Sequence, residues 1–198
     1  MHPTLPLWDE PPTSYRERVV ADARDRVAWL KARARGVTAT DVARLTSTDA
    51  VRAVAMEKLL GSRFSGNRYT EHGRLREPAI ARWAATVYGM RHSTELFHAD
   101  GRPEHLATPD GLRERDGALE LCEIKTTTHR WRSIPRSYLR QVWWQQYVLG
   151  ADRTLVVWEH HDEFVPTAEP ECRWVDRDEA EIARLRALAD ELLVALRR

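Results

Sequence analysis

Behind Ser14-Tyr15-Arg16-Glu17, a capping-box pattern, apolar residues recur at helical spacing. Val19, Val20, Ala23, Val27, Ala28 and Leu30 predict one helix running to about Arg35, stopped by Gly36. Thr38 or Asp41 can cap a second short helix through Leu45, and residues 50–60 predict a third that ends at Gly61. Residues 61–69 read as a polar loop. A longer helix is expected over residues 70–88, with Gly89 as its stop and Pro78 either kinking it or marking where its main run begins. Its stripe is Ile80, Ala84, Val87 and Tyr88, which leaves Glu77 at the stripe's edge; a carboxylate there either caps the helix start or serves a site.

Further on, the period changes. Residues 95–99 and 105–108 read as a hairpin turned at Asp100-Gly101, followed by a strand ending Glu123-Ile124-Lys125, so an antiparallel set of three strands is expected. Residues 136–149 return to helical spacing and stop at Gly150. Leu155-Val156-Val157-Trp158 is apolar enough for a central strand. Residues 159–177 look irregular with an edge strand, and 179–197 form an amphipathic helix on Ile182, Leu185, Leu188, Leu192 and Leu196. The whole reads as α/β (α+β): a mixed sheet flanked by helices, with an N-terminal helical segment. Residues 1–13, with four prolines, read as an irregular arm before a single domain over 14–198.

Composition removes several function classes. Charged residues make up 31% and balance to +1, so any basic surface must be local. No run approaches the ~18 apolar residues of a membrane helix, and the first residues lack the apolar core of a signal peptide. With two cysteines, Cys122 and Cys172, a four-thiolate metal or iron–sulfur site is excluded, and reduced thiols in a cytoplasmic protein are expected. The histidines show no zinc spacing, and His160-His161 reads as a solvated strand end. Gly-rich phosphate loops and G-x-S-x-G are absent.

The remaining chemistry converges on residues 105–128. Strand alternation puts Leu119, Leu121, Glu123 and Lys125 on one face and Cys122 and Ile124 on the other, with Cys122 in the core. Asp110, if brought alongside, makes two acids and a lysine at one point. Those carboxylates, with the Ile124 backbone carbonyl, offer oxygens to a hard divalent cation. Glu77 can complete that site or begin a second. Lys125, while protonated, can only neutralise charge or hold a water, and Gln141 can orient either. Taken singly each has a plainer explanation: a surface ion pair for Glu123 and Lys125, a turn for Pro109-Asp110-Gly111. Their order along the chain makes the joint reading the stronger one.

Glu77, Pro109-Asp110 and Glu123-Ile124-Lys125 resemble the PD-(D/E)xK nuclease superfamily, and Tyr138-Leu139-Arg140-Gln141-Val142 is similar to the glutamine motif of its RecB-like branch. Within it the chain resembles the lambda exonuclease and YqaJ-type viral recombinase group through three stretches. These are Ala28-Trp29-Leu30-Lys31-Ala32-Arg33 with Thr38 to Val42, Gly73-Arg74-Leu75-Arg76-Glu77-Pro78, and Ala107-Thr108-Pro109-Asp110-Gly111-Leu112. The four-cysteine cluster of related CRISPR-adaptation nucleases is missing. The resemblance implies a restriction-endonuclease-like core. It implies metal held by Asp110 and Glu123 with Glu77 joining, and water handled by Lys125 and Gln141. A 5′-phosphate would be held by Arg33 and Thr40, with Arg35 near enough to compete for that role. It further implies Mg²⁺, with Mn²⁺ as a substitute, and exonucleolytic cutting of linear duplex DNA from the 5′ end to leave 3′ overhangs. A homotrimer threaded by DNA and a single-strand annealing partner belong to the same expectation. An endonuclease on this fold, or a silent DNA-binding module, is the competing reading. Arg63, Arg68, Arg74, Arg76, Arg130, Arg132 and Arg136 are candidates for a basic lining. Trp131 is either a base-stacking platform or a loop plug.

Overall fold

The computed structural model describes residues 14–61 and 66–197; the N-terminal arm and Arg63 lie outside them. The chain opens with a 3₁₀ turn, Tyr15–Arg18, whose Ser14 cap accepts the Arg16 N–H. Strand β1 (Val19–Asp22) follows, and helix α1 (Arg26–Ala34) starts only after Asp25, whose carboxylate accepts the Ala28 N–H. The single long first helix is therefore wrong. Val19 and Val20 are β-branched, and β1 finds a partner at residues 95–97, a pairing that local spacing cannot announce. Moreover α1 buries none of its residues: Val27 and Leu30, read as a core stripe, face outward.

Strand β2 (Val37–Thr38) runs into α2 (Ala39–Val42), where Thr38 is the cap and forms a capping box with Asp41, so the two candidates act together. Gly36 is needed here for a close approach, since a Cβ would stand 2.3 Å from the Glu104 carbonyl oxygen. Helix α3 (Thr48–Leu60) ends at Gly61, and α4 (Arg68–Tyr88) carries Pro78 inside it and closes on left-handed Gly89. Val87 faces solvent rather than the core, which Ile80, Ala81 and Ala84 enter instead. Then come β3 (Arg91–His92), β4 (Glu95–Ala99), β5 (Arg102–Ala107), β6 (Gly111–Arg115) and β7 (Ala118–Thr127). Helix α5 (Arg136–Leu149) precedes β8 (Arg153–Asp162), β9 (Val165–Pro166), edge strand β10 (Glu171–Asp176) and α6 (Glu179–Leu196).

The strands make two sheets. One has the order β1-β4-β5-β2; the other runs β10-β8-β7-β6-β3, with β9 on β8. The three strands expected as one antiparallel set thus lie in two sheets, and a further strand, β6, pairs with β7 before Glu123, because the chain leaves β5 at Ala107 and restarts pairing at Gly111. Strands β7 and β8 are parallel, with α5 as the crossover. Their sheet is covered on both faces. Leu119 and Leu121 pack with Val142, Trp144, Val148 and α6; Cys122, Ile124, Leu155 and Val157 pack with Ile80, Ala81 and Ala84 of α4. That double cover explains the apolar run in β8. Beyond Trp158 the strand goes on to polar residues that find buried partners. Glu159 pairs with Arg76, and His161 lies among His72 and Phe164, so His161 is not a solvated end. No helix of the described residues is long and apolar enough to cross a membrane.

Candidate active site

The β6–β7 ladder stops at the pair Gly111–Cys122. Asp110 sits one residue before it. Its N–H donates to the Cys122 carbonyl at 3.1 Å, and its Oδ2 accepts the Ile124 N–H at 2.6 Å. The carboxylate so takes the place of the strand neighbour that Ile124 lacks. A strand residue turns its N–H and C=O to the same edge, so the Ile124 carbonyl is left at Asp110's side, past the last ladder pair. Gly111 follows Asp110 because a Cβ there would lie 3.2 Å from both the Arg91 carbonyl and the Cys122 side chain. Pro109-Asp110-Gly111 is thus a strand start under tight packing rather than a turn.

Glu123 is 2% exposed and is held by three donors. Lys125 and Gln141 both donate to its Oε1, the amide at 2.6 Å, and Gln145 donates to Oε2 at 2.6 Å. Gln141 and Gln145 stand one turn apart on α5, which packs on the Glu123 face of β7. The Lys125 ammonium also lies 5.1 Å from the centre of the Tyr138 ring. Burial, then the neighbouring Glu123 and, further off, Glu77, push the Asp110 carboxyl well above the ordinary range; Lys125 and the Ile124 N–H oppose this. For Lys125 burial favours the neutral amine, yet Glu123 and Asp110 outweigh it and the ammonium is kept. Two carboxylates face one ammonium, so with both ionised the cluster holds one negative charge in excess, which adds to burial in raising the Asp110 carboxyl.

Glu77 belongs to α4, on the opposite face of the sheet. It lines the same cleft, but its Oε1 pairs with His92 at 3.6 Å. Among the described residues no three His, Cys, Asp or Glu side chains are gathered closely enough to hold a metal. What the protein offers is the smaller set, two carboxylates and a carbonyl, all hard oxygen. That set fits Mg²⁺, which binds through one or two carboxylates and fills its other positions with water and substrate phosphate.

A cleft of about 560 Å³ joins this cluster to a second one. There the Arg33 guanidinium lies 4.3 Å over the Trp29 ring, with Nη2 3.5 Å from the Thr40 hydroxyl. Arg35 instead lines a separate cavity with Val20, Ala32 and Gly36, so only Arg33 and Thr40 reach the cleft. Several cleft residues were given no role from the sequence, among them Arg26, Trp29, Ser93, Thr94 and Thr108. The Trp29 indole Nε1 and the Thr108 hydroxyl are both buried without a hydrogen-bond partner. Positions four before Arg33 on a helix and two before Asp110 were the available signals. Of the basic candidates, Arg74 lines the cleft, whereas Arg76 is fixed on Glu159 at 2.8 and 2.7 Å and Arg136 on Glu181 at 2.6 Å. Arg68 lies over Tyr69 and Phe164, and Arg130 and Arg132 are exposed on the loop. Trp131 packs between Tyr138 and Trp158 and is a plug rather than a free platform.

Comparison with known proteins bears on the fold and the family. No curated protein matches the chain. The solved structure of LHK-Exo in complex with dAMP is similar at 22% identity and a TM-score of 0.67, over 85% of this chain and 91% of that one. The alkaline exonuclease LHK-Exo from Laribacter hongkongensis gives 21% and 0.66 over the same shares. A phage related exonuclease from Haemophilus somnus 129PT gives 13% and 0.63, over 81% of this chain and 93% of that one. At such identities the likeness is one of fold. The YqaJ-like viral recombinase domain matches residues 28–152, a stretch holding Arg33, Thr40, Glu77, Asp110, Glu123, Lys125 and Gln141. The resemblance read from those residues is thereby borne out, and the chain belongs to the YqaJ-like viral recombinase domain family.

Proposed function

We propose that this protein is a Mg²⁺-dependent DNA exonuclease, with Mn²⁺ able to substitute, that hydrolyses one strand of linear duplex from the 5′ end and leaves 3′ overhangs. One observation carries the reading: the Asp110, Glu123 and Ile124 oxygens and the Lys125 ammonium open into the same cleft as Arg33 and Thr40. The similar folds are exonucleases, which supports the same class of chemistry. Asp110, Glu123 and the Ile124 carbonyl would hold the cation, and Glu77, too far off to complete the set directly, would join through water. When bound, the cation lowers the pKa of water and draws charge from the phosphoryl oxygens. Lys125 stays an ammonium and offsets negative charge developing on the phosphate. Gln141 fixes the Glu123 oxygen that Lys125 shares and so holds the lysine in line. Arg33 supplies a charged fork and Thr40 a hydroxyl for a terminal phosphate. A site that grips a terminal phosphate selects ends.

We further propose one domain over residues 14–198, a homotrimer around DNA, a single-strand annealing partner, and a cytoplasmic setting. The test is incubation with Mg²⁺ and linear duplex beside covalently closed circles, for wild type and Lys125→Ala. Degradation of the linear DNA alone, lost in Lys125→Ala, is expected. Cutting of closed circles would replace the exonuclease with an endonuclease, and binding without cutting would leave a DNA-binding module.

A further inference from the structure

Gln145 stands behind the site, fully buried and outside the cleft lining. Its Nε2 spends one hydrogen on Glu123 Oε2 at 2.6 Å and the other on the Thr108 carbonyl at 3.4 Å. Both donors are used, and both acceptors are fixed, one by a strand and one by the backbone entering Asp110. The amide therefore has a single sensible orientation, with nitrogen toward the carboxylate. Its Oε1 is left buried without a partner. The amide is kept for its nitrogen: an apolar residue of the same length would leave the Glu123 Oε2 and the Thr108 carbonyl without this donor.

The choice of an amide is informative. Glu123 Oε1 already takes Lys125 and Gln141, so Oε2 holds the carboxylate's remaining free lone pair. An arginine or lysine at position 145 would restrain the same oxygen, but its charge would repel a cation arriving there. A neutral N–H donor restrains the carboxylate plane and leaves the negative field intact. Resting on the metal-dependent reading above, we infer that Gln145 is a positioning residue that locks the Glu123 carboxylate in its cation-binding rotamer. It touches neither the cation nor the substrate. It differs from Gln141 in holding the other oxygen and in lying out of the substrate's reach.

The test compares wild type, Lys125→Ala and Gln145→Met, the last chosen because methionine matches the length and fills irregular core space. Mn²⁺ binding is followed by electron paramagnetic resonance, apart from any cleavage. Loss of an outer-shell partner of this kind weakens metal affinity by about tenfold or more, and that is the shift expected for Gln145→Met. Its cleavage rate should recover as Mg²⁺ is raised, with KM for DNA ends unchanged, which general loosening of the fold would not produce. Wild-type Mn²⁺ affinity in Gln145→Met overturns the inference while leaving the nuclease reading in place. Absence of Mn²⁺ binding in wild type sinks both. Should Gln145→Met fail to fold, the wild-type Gln145 side-chain amide resonance is followed instead. It should shift on Mg²⁺ addition, and a resonance indifferent to Mg²⁺ overturns the inference equally.

Discussion

Asp110 and Glu123 bring two carboxylates to one point, and Lys125 returns one positive charge. The surplus has consequences for both stability and rate. Asp110→Asn keeps an oxygen for the Ile124 N–H but removes the charge, so in EDTA it should raise unfolding stability by about 1 kcal/mol. The same substitution should abolish the gain in melting temperature that Mg²⁺ gives wild type. Urea denaturation in EDTA measures the first and thermal unfolding with and without Mg²⁺ the second, and a less stable variant would show that the carboxylate is already compensated. Lys125→Ala removes a charge acting on the transition state and should lower the single-turnover rate by about 10²-fold or more. A rate within a few-fold of wild type would remove Lys125 from the mechanism. Alternation alone made Glu123 and Lys125 legible as neighbours, since any strand puts them on one face. Gln145 was not legible as anything but a helix-face residue. Its role depends on which strand α5 crosses, and that pairing is set 22 positions away in sequence.

Elements whose signal is local were read correctly: α5 from its spacing and Gly150, a cap at Thr38, and α3 with its glycine stop. Those decided by distant partners were not. Residues 19–22 become a strand because β4 is there to pair with, and β8 runs past Trp158 because Arg76 neutralises Glu159. The division into two sheets has the same origin, for β5 takes β2 as its parallel neighbour and leaves β6 to β3 and β7. Gly36 marks that β2–β5 contact. With a Cβ 2.3 Å from the Glu104 oxygen, Gly36→Ala must move backbone and should destabilise by about 2–3 kcal/mol in chemical denaturation. A neutral result would mean that β2 can shift freely, and with it Thr40 and the phosphate end of the cleft.

For the molecule as a whole, a net charge of +1 is compatible with DNA binding because the contacts are concentrated. Arg33 and Arg74 line the cleft, while Arg76 and Arg136 are tied to acids. In the Lys125→Ala background, adding Arg74→Ala should reduce the slope of log affinity against log salt by about one. An unchanged slope would place Arg74 outside the phosphate track. The central claim joins the oxygen–lysine cluster to a pocket for a terminal phosphate. It is tested most directly by following label release from duplexes carrying 5′-phosphate or 5′-hydroxyl ends, with wild type and Arg33→Ala. Wild type should release the 5′-terminal nucleotide first and prefer the phosphorylated end, and Arg33→Ala should lose that preference while still cutting. Release beginning at the 3′ end, or equal use of both ends by wild type, would contradict the account.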